Sequence, residues 1–547
     1  MNKFIKPSIG NCLLIAFITT FLFLGNSYFN TKGEPREALV PQAMIRSGNW
    51  ILPERYGDVV ATKPPMTHWL MSFFSLVNNN TVTETTSRLP SACAAFCIVA
   101  ALFLFIKKYR SEQIAFLACL LLISTIDFHR SAMTARVDMT LSCFMFIGML
   151  LLFKWHREGM KGMPLSASFM LSCAALTKGP VGIILPCFVF FTYTLLEKTA
   201  FTRIVITLFK IALPATLLPI LWYVAAYIQG GDDFLNVVME ENIGRFTGKM
   251  SYESHNNPFF FPYLYSFIGC MPWSLSLLLV LPFIKWKGFE WKTIGQKINR
   301  LAPIDKFSLT AAACILLFYT IPSSKRAVYQ LPAYPFFAYF MARFYLWMHK
   351  EKPQIEKIFG IILCAITALA LIGLSVLPLL PPNDDLVISA LQHLPINFLA
   401  LCALALVLGT LIFLLMALCK NSRQIMAGSI MLFFAIQFAL DATLLPAIKN
   451  KQSIKTFVTA VNTQFPHRPH FGYQAQFWQL NYYLDTKLTE FDPSLCEGEC
   501  TLFICANDID AFKAAYPMYA VKEIMRTPHK KTDVRDYICL MLISKQP

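Results

Sequence analysis

TKGEPREALVPQAMIRSGNW, residues 31–50, follows a strongly apolar N-terminal segment, and GDVVATKPPMTHW, residues 57–69, comes a few residues later. Together they put Glu34, Arg36, Glu37 and Lys63 into one loop of a chain that elsewhere avoids charge. Of the 547 residues 56% are hydrophobic and only 15% charged, and the mean hydropathy is +0.51. This balance excludes a soluble globule and identifies a polytopic membrane protein. A hydrocarbon core of about 30 Å needs roughly 20 apolar residues in helical form. By that criterion about thirteen spans are expected, centred near Phe17, Ala100, Leu120, Met145, Met170, Pro186, Leu217, Leu277, Ala313, Phe337, Ile366, Ala405 and Phe434. The first is read as a retained helix, because no small-residue cleavage site follows it.

Basic residues of short loops stay cytoplasmic, and they collect around Lys3, Lys107, Lys154, Lys198, Lys297, Lys350 and Lys420. The opposite loops are poorer in Lys and Arg, which places residues 30–88 outside. The net charge of +16 is thus a signal of topology and anionic lipid, with no nucleic-acid partner implied. From about Lys449 the pattern changes to short apolar runs between polar turns. The expected organisation is a membrane domain over 1–448, including the external loop 30–88 with interface helices, and a small external α/β domain over 449–547. Cys496 and Cys500 fit a local disulfide there, whereas zinc would need a second Cys or His pair at matching spacing.

Within the first loop, Gly33-Glu34-Pro35-Arg36-Glu37 opens an amphipathic helix with Pro35 near its first turn, and Met66 to Val77 forms a second. The bland alternative for Glu34 and Arg36 is simple anchoring at the interface. Other charges argue against it. Asp138 stands in HRSAMTARVDMTLSCF, Lys178 in SCAALTKGPVGIILP, Glu240, Glu241 and Arg245 in VVMEENIGRFTG, and Lys325 and Arg326 in IPSSKRAVYQLPAYP. Each costs about 2.5–3.5 kcal/mol to insert deeply, which favours a protein-lined or watery cavity. All map to the external side, so they imply one site. Lysines and arginines so gathered hold a phosphate by charge-assisted hydrogen bonds, and a carboxylate beside them accepts a proton from an attacking hydroxyl. Asp508-Ile509-Asp510 resembles a metal-binding triplet but is read as a helix start. Two or three cations can stabilise a single lipid-linked phosphate as it leaves, so no cofactor is required and a divalent metal is not indicated.

GEPREALVPQAMIRSGNWILP, YGDVVATKPPMTHW, TARVDM, LTKGPVGIILP, EENIGRF and SSKRAVYQLPAYP occur in an order that resembles the polyprenyl-phosphate-dependent membrane glycosyltransferases. This is the superfamily of lipid A aminoarabinose transferases and protein O-mannosyltransferases. The resemblance implies an all-α polytopic membrane protein of the GT-C fold, a sugar donor on undecaprenyl or dolichyl phosphate, and a lipid, glycan or protein acceptor. It implies a bacterial inner membrane location with the C-terminal domain periplasmic. By motif match Glu34 and Asp138 take the acidic, catalytic positions. Arg36, Lys63, Arg245 and Lys325 or Arg326, with Tyr329, take the phosphate-binding ones. Lys178, Glu240 and Glu241 are supporting candidates. Gly33 departs from relatives that carry an Asp-Glu pair, which leaves Glu34, Asp138 or no base at all. The last suits an acceptor that is already ionised, such as a lipid phosphate. A transporter or flippase is the competing class, since charges within membranes also mark permeation paths.

Overall fold

The computed structural model describes residues 7–244 apart from 57, 58 and 62, then 257–283, 291–376, 379, 398–420, and 424–545 apart from 467, 476, 497, 532 and 533. Its N-terminal half runs through ten helices. They are α1 (Ile9–Phe21), α2 (Gly33–Ser47), α3 (Met66–Val77), α4 (Glu84–Tyr109), α5 (Glu112–Ile123), α6 (Ile126–Ala132), α7 (Val137–Arg157), α8 (Leu165–Lys178), α9 (Val181–Leu196) and α10 (Phe201–Met239). Longer helices follow at Pro303–Thr320, Tyr334–Glu351, Pro353–Val376, Phe398–Lys420 and Ile425–Ala439. Each of the thirteen expected span centres lies inside a helix. Six helices among the described residues are long and apolar enough to cross a bilayer, and α5 with α6, bent by 72°, makes a seventh when taken as one broken span.

The main core joins α4, α5 and α7 to the helix Tyr334–Glu351 through aliphatic and aromatic side chains such as Ala95, Leu121, Phe146 and Tyr339. A second cluster joins α7, α8, α9 and α10. Chain breaks are chemically marked. Thr83 and Thr86 form a reciprocal capping box at the start of α4, and Ser111 caps α5. Gly48, at φ 71°, ends α2 in the left-handed conformation that glycine takes without strain.

Both helices expected in the first loop are present, α2 beginning at Gly33 and α3 running from Met66 to Val77. Between them Glu54–Tyr56 (β1) and Val59–Val60 (β2) form a small antiparallel pair. The C-terminal sheet contains β3 (His470–Gly472), β4 (Leu488–Glu490), β5 (Glu499–Cys505), β6 (Tyr519–Arg526) and β7 (Ile538–Lys545) in the order β4-β3-β5-β7-β6. The first three strands are parallel; β7 runs antiparallel to both β5 and β6. Cys496 and Cys500 are disulfide-bonded. Asp508 precedes the helix Ile509–Ala515 as expected, but its side chain makes no capping hydrogen bond.

One face of this sheet packs on the first loop. Phe29, Leu39, Met71 and Val82 share a core with Phe457, Trp478, Tyr482 and Leu540. Polar ties close the seam: Tyr483 Oη donates to Glu84 at 2.8 Å and accepts from Phe29 N–H at 2.9 Å, and Tyr482 Oη donates to the Val82 carbonyl at 2.9 Å. The loop is therefore held between the helical bundle and the C-terminal sheet.

Candidate active site

Glu34 and Glu37 lie one helical turn apart at the start of α2, but they face different partners. Glu34 receives two parallel hydrogen bonds from the Arg88 guanidinium, at 2.8 and 3.1 Å, and a third from the Ala135 backbone at 3.0 Å. Arg88 Nη1 donates to the Leu24 and Ser27 carbonyls, so every nitrogen of a guanidinium only 1% exposed has an acceptor. Burial works against the charged carboxylate, yet Arg88, the Lys449 charge and the Ala135 N–H together hold Glu34 below the usual carboxylate range. Glu34, a candidate acid or base by motif match, accepts here from Arg88 and the Ala135 N–H, and so fastens α2 to α4 and to the segment before α7.

Glu37 is the carboxylate that meets the cations of the loop. It pairs with Lys63, accepts from Arg36 at 3.3 Å, and accepts from His68 Nε2 at 3.0 Å. Burial would raise its carboxyl, but Lys63, the His68 hydrogen bond and Arg36 outweigh that and hold it well below the usual range. For Lys63 the balance runs the other way. Burial lowers it more than Glu37 restores, and Arg36 lowers it further, so it stands at about 8. Arg36 shares the same carboxylate, which is why one acid does not fully compensate both cations.

A second acid-base pair sits at the matching ends of α7 and α8. Lys178, the last residue of α8, pairs with Asp138, in the first turn of α7, at 2.5 Å, and its ammonium lies 4.2 Å from the centre of the Tyr329 ring. That ring in turn lies 5.2 Å from Tyr319. Gly179 makes the turn after Lys178 at φ 84°, and a Cβ there would come within 2.9 Å of the Asn242 amide oxygen.

Lys63, Lys178 and Tyr329 open onto one cavity of about 550 Å³, together with Glu241, Asn242, Trp222, Tyr223, Tyr319 and Ser324. Five separate stretches of sequence thus converge on one space; of the candidates singled out from the sequence, Lys63, Lys178, Glu241 and Tyr329 line it, whereas Glu34, Arg36 and Asp138 are not among its lining residues. Two placements differ from expectation. Lys325 is buried and Arg326 half-buried, and among the described residues their segment lines the cavity through Pro322, Ser324 and Tyr329 instead. Glu241 reaches the wall from the π-helical turn Glu240–Gly244; Glu240 is not among the lining residues. Arg245 lies outside the described residues.

Sequence reasoning passed over Glu37 as a partner, and Arg88, His68, Trp222 and Tyr223 altogether. Arg88 carried a usable signal, because it follows Glu84 by one helical turn and opens a run with no further charge until Lys107. The aromatic residues of α10 did not stand out against the many that mark membrane interfaces.

Comparison with known proteins places the fold. Residues 62–223 match the family described as dolichyl-phosphate-mannose-protein mannosyltransferase. The solved structure of ArnT from Cupriavidus metallidurans bound to undecaprenyl phosphate superposes with a TM-score of 0.72 at 16% identity, over 97% of each chain. The chain is similar in sequence and in fold to the polyprenyl-phosphate-dependent membrane glycosyltransferases of the GT-C type. Among these relatives, an undecaprenyl phosphate-alpha-4-amino-4-deoxy-L-arabinose arabinosyl transferase of Aeromonas hydrophila is 25% identical over 61% of this chain and 61% of its own length. A Proteus mirabilis protein with the same kind of name is 26% identical over 61% of this chain and 59% of its own. An uncharacterized protein of Aquifex aeolicus is 26% identical over 66% of this chain and 69% of its own length. The chain matches about three-fifths of the named transferases, while the structural likeness to ArnT runs from end to end.

Proposed function

We infer that the protein transfers a sugar from a polyprenyl phosphate, undecaprenyl phosphate in a bacterial membrane, to an envelope acceptor such as lipid A, a protein or a glycan. The observation that carries this reading is the meeting of two ammonium groups, Lys63 and Lys178, on the wall of one cavity at one end of the helical bundle. The acceptor oxygen attacks the anomeric carbon, and the bond from that carbon to the phosphate oxygen breaks with its electron pair. Lys63 and Lys178 stabilise the charge that develops on the leaving phosphate. Arg245 is assigned the same task by motif match. Two or three cations are enough for this step, so the proposal includes no metal.

Glu241 lines the cavity and is proposed to orient the acceptor, with Asp138 next to it through its pair with Lys178; Glu34 pairs with Arg88 and Glu37 with Lys63. Asp138 is already engaged by Lys178, which favours an acceptor that arrives ionised and needs no base. Thirteen crossings with the C-terminus outside are part of this proposal; six helices among the described residues, or seven with α5 and α6 as one broken span, are long and apolar enough to cross by themselves, and the remaining crossings fall to shorter helices. Packing of the C-terminal sheet on the first loop supports a periplasmic unit over 449–547, on the same side as loop 30–88 and the cavity.

Purified protein reconstituted with an undecaprenyl-phosphate-linked sugar and lipid A should release free undecaprenyl phosphate without an ion gradient. Lys63→Ala should slow release about 100-fold or more, the scale of losing one preorganised charge-stabilising group. Near-normal release by Lys63→Ala would remove that residue from the phosphate site. Movement of intact donor across the membrane with no release would point to a flippase.

A further inference from the structure

Glu37 is the point where three side chains of the first loop converge. Among the described residues it is the hydrogen-bonding or ion-pairing partner of Lys63, of Arg36 and of His68 alike. The three are unequal in access. The Lys63 side chain is 17% exposed and lines the cavity, whereas Glu37 is 6% exposed and His68 2%. Substrate can touch the lysine, and the carboxylate must act through it.

His68 sharpens the point. Its Nε2–H is given to Glu37, and its other ring nitrogen, Nδ1, is buried without a hydrogen-bond partner among the described residues. A buried imidazole whose one polar contact is a carboxylate serves to fix that carboxylate, much as outer hydrogen bonds orient the ligands of a metal site. Lys63 is the end of a flexible four-carbon stem with three donors, and such a group loses much rotamer freedom when it must hold one place. Glu37 removes that freedom before any phosphate enters. It also lets Lys63 and Arg36 share one site, which two unneutralised cations would resist.

We propose that Glu37, steered by His68, is a positioning residue for the donor phosphate: it holds Lys63 at the cavity wall beside Arg36 until the phosphate takes over part of the ammonium's hydrogen bonding. This rests on the reading of Lys63 as a phosphate ligand. The charged groups around Lys63 are Glu37 and Arg36 from α2, and Asp138 from α7 with its partner Lys178 from α8. Arg136 acts on Asp138, and Glu241 shares the cavity wall. The Glu37 charge supports the protonated state of Lys63, which burial brings down to about 8. Removing that charge should therefore bring the loss of Lys63 charge to lower pH.

The test measures binding of undecaprenyl phosphate to the full-length protein between pH 6 and 9.5, with transfer kinetics alongside. Wild-type affinity should fall as pH rises through about 8. Glu37→Gln should move that fall down by about one unit, the size of shift one lost neighbouring charge produces, and should raise the donor KM more than it lowers kcat. Glu37→Asp should return the profile most of the way, and His68→Gln should move it in the same direction as Glu37→Gln by a smaller step. Should Glu37→Gln fail to fold, the aspartate and His68 variants carry the test through the same pH profile. An unchanged midpoint in the folded variants, with activity lowered evenly across pH, would show a purely structural role and overturn the proposal. A wild type that binds undecaprenyl phosphate but transfers no sugar would sink the transferase reading while leaving this one standing. Absence of phosphate binding at every pH would sink this one.

Discussion

Two acids one turn apart on α2 have opposite prospects, and their partners decide which. Removing Glu34 leaves the Arg88 guanidinium as an uncompensated buried charge, a loss of about 3–5 kcal/mol. Glu34→Ala should thus sharply reduce folded protein in a thermal-shift assay, while the molecules that do fold retain transfer. Normal folding with transfer abolished would restore Glu34 as a catalytic acid or base. The sign of its pH dependence follows from its depressed value. The contribution is complete above the ordinary 4.5 and disappears as pH falls through the lower folded value, so acid should loosen this joint. For Lys63 the charge is complete below about 8 and lost above it. The kcat/KM for donor should decline on the alkaline side with a midpoint near that value, and Lys63→Arg should flatten the decline because a guanidinium stays charged. A decline of the same midpoint in the arginine variant would assign the titration to another group. The sequence made the importance of this loop legible but not the pairing within it. Lys63 and His68 stand 26 and 31 positions after Glu37, and Arg88 stands 54 after Glu34. No local spacing rule links them. The surroundings of Gly33 are likewise visible only in three dimensions: a Cβ there would come within 2.4 Å of a guanidinium nitrogen at the movable end of Arg136.

At the scale of elements, the site is a set of helix ends held in register. α7 begins and α8 ends at the same level, which brings Asp138 against Lys178, and α9 leaves in a tight turn through Gly179 and Pro180. The turn uses φ 84° and ψ −160°, a region essentially restricted to glycine. Gly179→Ala should cost about 1–3 kcal/mol in backbone strain and also press on Asn242. Lys178 and the π-helical turn Glu240–Gly244 should both be displaced, so transfer should fall at least about tenfold for each 1.4 kcal/mol that reaches the transition state. Measuring donor binding beside transfer separates a moved Lys178, which weakens binding, from a moved acceptor side, which spares it. Intact kinetics would mean that the turn tolerates the methyl group and that its glycine has no functional consequence. The Thr-Lys-Gly sequence pointed to this turn, and hydropathy correctly put a helix on each side of it. Hydropathy is blind to register, however, since sliding α8 by one residue leaves its composition unchanged and turns Lys178 away from Asp138.

For the whole molecule, the alternation of apolar runs with polar turns after Lys449 made the C-terminal α/β unit legible, but its role was not, because its contacts are with residues more than 350 positions earlier. Lys455 pairs with Glu84 at 3.4 Å, Ser453 donates to the Phe29 carbonyl at 2.7 Å, and the Gln42 amide donates to the Tyr482 carbonyl at 3.3 Å. These ties surround the apolar seam in which Leu39 of α2 and Met71 of α3 meet Phe457 and Trp478. The C-terminal unit therefore covers the outer side of the same helix whose first two turns carry Arg36 and Glu37. A chain ending at Gln452 would expose that seam to water, at about 25 cal/mol per Å² of apolar surface, and would leave Glu84 without the Tyr483 and Lys455 donors. The expected result is a membrane-inserted protein in which α2 is cut rapidly by added protease and donor affinity falls, while the transmembrane helices stay protected. Restoring the C-terminal unit as a separate chain should recover protection of α2 if the seam is strong enough to reassociate. Transfer at the full-length rate by the shortened chain would instead show that the bundle alone holds α2 in its working position.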